Sequence, residues 1–571
     1  MKNILITIIL SITLLVSGSI SAQNNIDNTK LTTLFKDKPS VHFKFNISSR
    51  QEINTLTRII SIDNVKDNEV FAYANKKEFA MFLALGYDYQ IIIDKLNHDD
   101  IVMSNQIKAL NITPMNYYPT YTAYDSMMTA FSNNYPAICR IVNIKTLASG
   151  RKLLFAKISK NPNIKENEPT FLYTSSMHGD ELTGYILMLD LINYLLSNYG
   201  IDARITRMID STEIWINPLA NPDGTFYGGN STVMGAQREN ANTIDINRNF
   251  PDYLAGQHPD GNAWQPETVA FMGLADTVNF TMSTNFHGGS QVCNYPWDGT
   301  TIRSADDSWW QYVCNNWVDT VHLYNTTGYM TDLMNGVTDG YDWYQVTGGR
   351  QDYMNYWHHC REFTCEISTD KTPASSTLPN YWNWNYRSLL NYIEESQYGV
   401  RGIVTDSITG EPLKAKVYIS GFDKDSSEVY SHLPQGNYYR HLIAGSYSLT
   451  YSSPGYYSKT VPATVINHSA VTHDVQLVPL NYSTGMELTA DANTIDIFPN
   501  PATKFVQLKF HRDVKLYTVS VLDAKGGMMF NRTYTNSSRS VTIELPTLAK
   551  GIYFLKVVAD NETSTKKIVI E

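Results

Sequence analysis

The chain has 571 residues, which is too long for one domain and predicts three to five units. Charged residues make up only 18% of it and aromatic residues 12%, so the units can bury large hydrophobic cores. The formal net charge of −10 argues against a nucleic-acid partner, because proteins that bind a phosphate backbone normally carry a basic face.

Residues 1–22 are typical of a signal peptide. Lys2 provides the positive start, Ile4 to Val16 form the apolar core, and Ser19-Ile20-Ser21-Ala22 offers a small-residue cleavage site. A membrane anchor is the alternative, but the apolar run is short, and no later run is long enough to span a bilayer. The sequence therefore predicts a protein that is exported through the periplasm and is secreted or held at the cell surface, with no transmembrane segment in the mature chain.

The five cysteines are an odd number, so at least one is unpaired or is bonded to another chain. They are too sparse in so long a chain to form a disulfide framework, and we expect buried thiols with one or two bridges. The five are Cys139, Cys293, Cys314, Cys360 and Cys365.

Residues 23–110 predict a small α+β unit. Val41 to Ile47 and Glu69 to Ala74 alternate like strands, and Asp88 to Ile93 forms another strand-like run. Ser49-Arg50-Gln51-Glu52 and Asn75-Lys76-Lys77-Glu78 are capping boxes that open helices. Two interpretations stay open: a prodomain that shields a cleft in the next unit, or a plain accessory domain.

From residue 117 to residue 395, apolar strand runs alternate with amphipathic helical stretches such as Tyr124 to Asn133 and Leu182 to Asn198. This alternation predicts an α/β domain with a mixed sheet flanked by helices. Ligands of such sheets gather beyond the carboxyl ends of the strands. His178, His287 and Glu366 each follow or end a strand-like run, so we expect them in one cleft.

The motif His178-Gly179-Asp180-Glu181 follows the strand-like run from Pro169 to Ser175. Zinc takes imidazole and carboxylate ligands, and His-x-x-Glu can supply two of them from one turn of chain. Alone the motif is weak, since four-residue patterns recur by chance, and the alternative is a surface turn before the helix from Thr183 to Ser197. His287, in His287-Gly288-Gly289-Ser290, is a candidate third ligand.

Further motifs accompany these two in a fixed order. They are Asn217-Pro218-Leu219-Ala220-Asn221-Pro222-Asp223-Gly224, Asp245-Ile246-Asn247-Arg248-Asn249-Phe250-Pro251, Tyr344-Gln345-Val346-Thr347-Gly348-Gly349 and Glu362-Phe363-Thr364-Cys365-Glu366. With these motifs in this order, residues 117–395 resemble the catalytic domain of the zinc metallocarboxypeptidase family, specifically its branch related to carboxypeptidases D, E, M and N.

The resemblance implies one zinc ion per chain, held by His178, Glu181 and His287. Zinc polarises a carbonyl and lowers the pKa of its water toward about 7, which addresses the low reactivity of a peptide bond. Glu366 takes the role of general base and acid in the family. Period-two alternation places it on the face of its strand opposite Phe363, Cys365 and Ile367.

The family also suggests how a free C-terminal carboxylate is bound. Asn247 and Arg248 match its carboxylate-binding pair, since a guanidinium forms bidentate, charge-assisted hydrogen bonds. Arg238, in Gln237-Arg238-Glu239-Asn240, matches the arginine that supports the oxyanion. Tyr344 matches the tyrosine that closes over bound substrate. The alternatives are a surface arginine for Arg238 and a core aromatic residue for Tyr344.

Side-chain preference depends on Asp298, in Tyr295-Pro296-Trp297-Asp298, and on Gln351. In this branch the matching aspartate pairs with a terminal Lys or Arg, and the glutamine lies at the base of the pocket. A buried carboxylate rewards a cation and rejects apolar side chains. Arg350 departs from the smaller or apolar residue expected there, and its positive charge could weaken the preference for basic residues.

Two β-rich units follow. Residues 399–478 alternate without a helical period and resemble the transthyretin-like β-sandwich that follows the catalytic domain in this branch. Residues 494–571 form another all-β unit, which resembles the C-terminal sorting domain read by the type IX secretion system of Bacteroidetes-like bacteria. An ordinary β-sandwich binding module is the alternative. The sorting interpretation implies the secretion machinery as a partner.

The sequence therefore predicts an exported zinc carboxypeptidase that removes C-terminal Lys or Arg from proteins or peptides. A cell-wall peptide amidase is a second hypothesis, which the carboxylate clamp Asn247-Arg248 together with Asp298 argues against. A catalytically silent extracellular binding module is a third, and the presence of all three candidate ligands and of Glu366 argues against it.

Overall fold

The computed structural model describes residues 34–36, 39–92, 100–106, 114–480, 495–511, 513–535, 539–559 and 562–571. The predicted signal peptide, residues 1–22, lies outside the described residues. The described residues form two compact units, one that ends at Leu480 and one that contains the described residues from Ile495 onward.

The first unit opens with a four-stranded antiparallel sheet in the order β2-β3-β1-β4. Phe43, Phe45, Phe79 and Phe82 pack against one another in its core. Its elements are β1 Ser40–Asn46, α1 Ile53–Leu56, β2 Ser61–Lys66, β3 Glu69–Asn75, α2 Lys76–Leu83 and β4 Tyr89–Ile91. We refer to residues 39–92 as the N-terminal sheet unit.

Helix α2 begins as the sequence predicts. The side chain of Asn75 accepts hydrogen bonds from the backbone of Lys77 and Glu78, and Glu78 accepts one from the backbone of Asn75 at 3.0 Å. Strand β2 is not predicted by the pattern, because its register against β3 shifts between Ile62 and Asn64 and breaks the alternation.

Residues 103–119 contribute a two-residue parallel pairing of β5 Met103–Ser104 with β6 Tyr118–Pro119. An eight-stranded mixed sheet follows, in the order β13-β12-β14-β11-β9-β10-β8-β7. Its strands are β7 Cys139–Thr146, β8 Lys152–Ile158, β9 Thr170–Ser175, β10 Glu213–Asn217, β11 Met282–His287, β12 Ser290–Tyr295, β13 Val337–Asp339 and β14 Arg361–Ser368.

Strands β10, β9, β11 and β14 run parallel at the centre of this sheet, and helices cover both of its faces. Phe171 and Tyr173 of β9 enter one hydrophobic core, whereas Leu172 enters the other. The helices are α3 Tyr121–Asn134, α4 Thr183–Asn198, α5 Ala203–Ser211, α6 Pro222–Thr225, α7 Pro266–Thr277, α8 Asp307–Tyr324, α9 Gly340–Trp343, α10 Arg350–His358 and α11 Leu378–Glu395. The predicted α/β fold class is confirmed.

The β-rich part of the first unit consists of two small sheets around a shared core. One contains β15, β18, β21 and β22, and the other has the order β17-β16-β19-β20. Its strands are β15 Gly399–Asp406, β16 Lys416–Ile419, β17 Val429–Tyr430, β18 Asn437–Arg440, β19 Gly445–Ser452, β20 Lys459–Val465, β21 Ala470–Thr472 and β22 Val475–Leu477.

The second unit is also all-β among its described residues. Its two sheets have the orders β23-β24-β27 and β26-β25-β28-β29. Its strands are β23 Ile495–Phe498, β24 Phe505–Phe510, β25 Leu516–Leu522, β26 Met528–Thr535, β27 Ser540–Glu544, β28 Gly551–Ala559 and β29 Glu562–Ile570.

All five cysteines are buried free thiols. The expected burial is therefore confirmed, but the expectation of one or two bridges is wrong for this structure. The described helices include none that is long and apolar enough to cross a membrane.

A buried ion cluster joins the mixed sheet to the sheets of residues 399–477. Asp306, just before α8, lies 2.8 Å from Arg361 at the start of β14 and 2.8 Å from Arg440 at the end of β18. All three side chains are at most 3% exposed. Asp423 lies 2.5 Å from Arg440 and completes the cluster.

Asp306→Ala should destabilise the first unit by about 3–5 kcal/mol, because it leaves the buried guanidinium of Arg361 without its carboxylate and that of Arg440 with Asp423 alone. The measurement is a urea titration followed by tryptophan fluorescence. Asp307→Asn, one residue further along and partly exposed, is the matched control and should cost less than about 1 kcal/mol. Equal midpoints for the two variants would contradict the importance of the cluster.

Candidate active site and metal centre

The site lies where three parallel strands end side by side. β11 pairs with β9 through Phe286 and Ser175, and with β14 through His287 and Glu366. The register therefore places His287 level with Glu366 on neighbouring strands. His178 follows β9 by three residues, at the same edge of the sheet. This is the edge at which open α/β sheets bind their ligands.

His178, Glu181 and His287 are brought together as the sequence predicts. His178 Nδ1 lies 2.9 Å from Glu181 Oε1, His287 Nδ1 lies 2.8 Å from Glu181 Oε2, and the two Nδ1 atoms are 3.0 Å apart. All three side chains are buried, and their ligand atoms lie within 4.8 Å of one another. Two nitrogens and a carboxylate thus converge on one point.

The surroundings of His178 fix which of its nitrogens is available. Its Nε2 lies 3.1 Å from Asp245 Oδ1, and a carboxylate can only accept a hydrogen bond. The proton of the neutral ring therefore lies on Nε2, and the Nδ1 lone pair faces Glu181 and His287. Lone pairs directed at one point repel each other unless a cation lies between them. The donor set fits a metal ion, and both donor types are those of zinc.

Glu366 lines the same cavity as the three candidate ligands. Its Oε2 is buried and makes no hydrogen bond within the described part of the chain. Burial raises the pKa of Glu366 well above its usual range, and the nearby carboxylates of Glu181 and Asp63 raise it further. The group is a carboxyl with an unsatisfied oxygen beside a candidate metal centre.

Two arginines, Arg238 and Arg248, line this cavity together with Asn247 and Tyr344. Arg238, 2% exposed, donates from Nε to Asp245 at 3.1 Å, and its Nη1 lies 3.0 Å from His178 Nδ1. The Arg248 side chain is also buried, and its Nε makes no hydrogen bond within the described residues. The alternative of a surface arginine is therefore wrong for Arg238.

Asp298 and Arg248 both line the cavity, and two side-chain amides donate hydrogen bonds to the Asp298 carboxylate. Gln351 Nε2 donates to Asp298 Oδ1 at 2.9 Å, and Asn294 Nδ2 donates to the same oxygen at 3.3 Å. Gln351 itself is fixed by the backbone N–H of Thr364, at 2.7 Å from its Oε1. Burial raises the pKa of Asp298 to about 7.

Arg350 does not line this cavity. Its guanidinium donates twice to the carboxylate of Glu362, at 3.0 Å and 2.8 Å, and packs over the ring of Phe271. Both members of this pair are at most 1% exposed. The expectation that Arg350 opposes a cation in the pocket is therefore not supported, because Glu362 balances its charge.

The structure also brings residues to the site that the sequence did not single out. Asp245 orients His178, and its place at the start of the Asp245-Ile246-Asn247-Arg248 motif is the signal that could have found it. Lys371 lies 3.3 Å from Glu181 but belongs to no recognisable motif. Asp63 reaches the cavity from the N-terminal sheet unit, and no sequence pattern marks it.

Comparison with known proteins found two family profiles that match this chain. The sequence profile of the zinc carboxypeptidase family matches residues 124–388. The profile of the secretion system C-terminal sorting domain matches residues 496–571. Among solved structures, carboxypeptidase A from Helicoverpa armigera superposes with a TM-score of 0.48 at 13% identity, over 62% of this chain and 97% of that one.

Two curated relatives show the degree of similarity. Carboxypeptidase D of Mus musculus is 35% identical over 365 residues, which are 61% of this chain and 26% of that protein. Carboxypeptidase M of Mus musculus is 35% identical over 378 residues, which are 63% of this chain and 84% of that protein. The chain thus spans about a quarter of the length of carboxypeptidase D and most of carboxypeptidase M. It belongs to the zinc carboxypeptidase family, as its motifs predict, and carries a secretion system C-terminal sorting domain.

Proposed function

We propose that this protein is an exported zinc carboxypeptidase that hydrolyses the C-terminal peptide bond of proteins or peptides and prefers a terminal Lys or Arg. One observation carries the proposal. A His-Glu-His donor set, a buried glutamate, two arginines and a buried aspartate line a single cavity, and each has a distinct part in the reaction.

Zinc held by His178, Glu181 and His287 would supply a Lewis acid that makes a water molecule and the scissile carbonyl reactive. Glu366 accepts the proton of that water at its free carboxyl oxygen and returns it to the leaving amine. The buried position of Glu366 suits its part as a base, because burial raises the pKa of the carboxyl and so makes its carboxylate a stronger proton acceptor.

Recognition of the chain end falls to Arg248 and Asn247. A guanidinium with a free, buried Nε offers N–H donors for the terminal carboxylate. Arg238, on the metal side of the cavity, stabilises negative charge on the carbonyl oxygen as the bond to water forms. Tyr344 covers the bound chain end. An enzyme that cuts within a chain has no need of a carboxylate clamp.

Preference for a terminal Lys or Arg rests on Asp298. Its carboxylate is held by Gln351 and Asn294, and no basic side chain contacts it among the described residues. A substrate ammonium or guanidinium would complete this set, whereas an apolar side chain would leave the carboxylate buried and unpaired. The pairing of Arg350 with Glu362 removes the objection to a basic preference.

Export is supported by the sorting-domain match at residues 496–571. Together with the predicted signal peptide, this match favours secretion or display at the cell surface and makes the secretion machinery a partner. The substrates would then be extracellular proteins or peptides with free C-termini. The β-rich residues 399–478 would then be the transthyretin-like domain that follows the catalytic domain in this branch.

The purified chain should contain one zinc ion, and a chelator should abolish release of C-terminal Lys. His287→Asn should lose both the metal and the activity, because it removes one of three ligands. Metal content by mass spectrometry is the readout that does not depend on catalysis. His468→Asn, at a histidine whose side chain is 64% exposed, is the control and should keep the full zinc content. A full zinc content in His287→Asn would contradict the ligand assignment.

Glu366→Gln should lower kcat about 10²- to 10⁴-fold while zinc content and KM stay close to those of the parent. Glutamine preserves the shape of the side chain but cannot accept the proton. Steady-state kinetics on a peptide that ends in Arg provide the measurement, with the exposed Glu411→Gln as control. An undiminished kcat would remove Glu366 from the reaction.

The preference for basic residues should depend on pH. Asp298 is charged above its pKa of about 7 and neutral below it, so kcat/KM for Lys-ending peptides should fall as the pH drops from 8 to 6, relative to Leu-ending peptides. Asp298→Asn should abolish this difference. It should also lower kcat/KM for Lys-ending peptides about a hundredfold, because leaving one member of a buried pair alone costs about 3 kcal/mol. A pH-independent ratio of Lys to Leu release in the parent would contradict the assignment.

A further inference from the structure

A second cavity lies between helices α8 and α11, with a volume of about 250 Å³. His468, from the turn before β21, is part of its lining, so the cavity lies where the helices of the mixed sheet meet the β-rich residues 399–478. Among the described residues, none lines both this cavity and the candidate active site. Ligand sites occur preferentially at such domain junctions.

Glu395, the last residue of α11, supplies a carboxylate to the lining. Its side chain is 9% exposed, and burial raises its pKa to about 7. The Trp309 side chain hydrogen-bonds to it but carries no charge. Among the described residues, the only basic group within 4.0 Å is His468, whose Nδ1 lies 3.8 Å from Glu395 Oε2 and whose side chain is 64% exposed. So exposed an imidazole is a weak partner for a buried carboxylate, which normally has a close ion partner.

The neighbouring carboxylate is already balanced. Glu394 accepts two hydrogen bonds from the Arg204 guanidinium, at 2.9 Å and 2.8 Å. Arg204 is not part of the lining, and the described lining contains no lysine or arginine. The C-terminal end of α11 adds its own partial negative charge at Glu395. The cavity therefore carries an excess of negative charge, which is centred on Glu395.

Aromatic rings form another part of the wall. Trp317 is 2% exposed and Tyr392 is 4% exposed, while Tyr398 is half-buried. The face of an aromatic ring attracts a cation because the ring quadrupole is negative there, and the attraction grows when the cation is desolvated. A buried carboxylate beside aromatic rings is thus complementary to an organic cation. A strongly hydrated metal ion would gain little from the rings.

We propose that the cavity between α8 and α11 binds a small organic cation, an alkylammonium or guanidinium ion. Its charge meets the Glu395 carboxylate, and its alkyl part packs against Trp317 and Tyr392. The volume lies just below the roughly 300 Å³ at which ordinary ligand pockets begin, so the cavity admits a group about as large as one side chain. The proposal does not depend on carboxypeptidase activity, because its residues take no part in the proposed reaction.

Binding is measured on the full chain with Asp298→Asn, which removes the cation partner proposed for the active site. n-Butylammonium is titrated at pH 8, where Glu395 is ionised, and its proton NMR signals are followed. The methylene signals should shift upfield on binding, because the ligand lies against aromatic rings. n-Butanol and butyrate share the alkyl chain but are neutral and negative, and should bind at least tenfold more weakly.

Two results of this titration would overturn the proposal. One is equal binding of the three compounds, because the carboxylate would then give no preference for a cation. The other is the lack of saturable n-butylammonium binding below about 10 mM, which corresponds to a negligible affinity. A blocked Ala-Lys-Ala peptide carries the same ammonium on a polypeptide. Its binding would assign the site to protein lysines, and its failure to bind would assign the site to free amines.

Two substitutions locate the bound cation. Glu395→Gln removes the charge, and Thr320→Met fills the cavity from a partly exposed position while leaving Glu395 in place. Each should weaken n-butylammonium at least tenfold, so the test stands even if one variant fails to fold. Asp319→Asn removes a carboxylate from an exposed position of the same helix and should keep the affinity within twofold. An unchanged affinity in Glu395→Gln or in Thr320→Met would overturn the proposal.

Discussion

The register between parallel strands β9, β11 and β14 is the constraint on which the site depends. It sets His287 level with Glu366 and brings the turn after β9 to the same edge of the sheet. A shift of one residue would turn each side chain to the opposite face, because side chains alternate along a strand. The two hydrophobic cores on either face of the sheet hold this register, and through it the spacing of the candidate metal ligands.

Charge balance is the second constraint, because acidic and basic side chains are buried together in the lining of one cavity. Asp245 serves two partners, because it orients His178 and also pairs with Arg238. Arg350 is neutralised by Glu362 away from the cavity. Arg248 and Asp298 have no ion-pair partner within the described part of the chain, and the proposed substrate would supply one to each. The N-terminal sheet unit contributes Asp63 to this balance, because its carboxylate lies 2.9 Å from Arg238 and 2.6 Å from Lys371.

Much of the fold follows from local patterns. The sequence predicts strand β9 and helix α4 correctly, because apolar residues recur at the spacing that each element requires. Strand β2 does not, since its bulge interrupts the alternation on which the prediction of a strand relies. The sequence could not predict that all five thiols are free. Disulfide pairing depends on the distance and orientation of side chains that are remote in the chain.

By itself the sequence determined the family, the α/β class of the catalytic domain and the candidate ligands His178, Glu181 and His287, because motifs record the chemistry required of each position. Only the tertiary structure decided that Arg350 is paired with Glu362 and that Asp245 orients His178. It alone placed Asp63 between Arg238 and Lys371, residues 175 and 308 positions away. Contacts over such separations arise from the packing of whole units, and no local pattern encodes them.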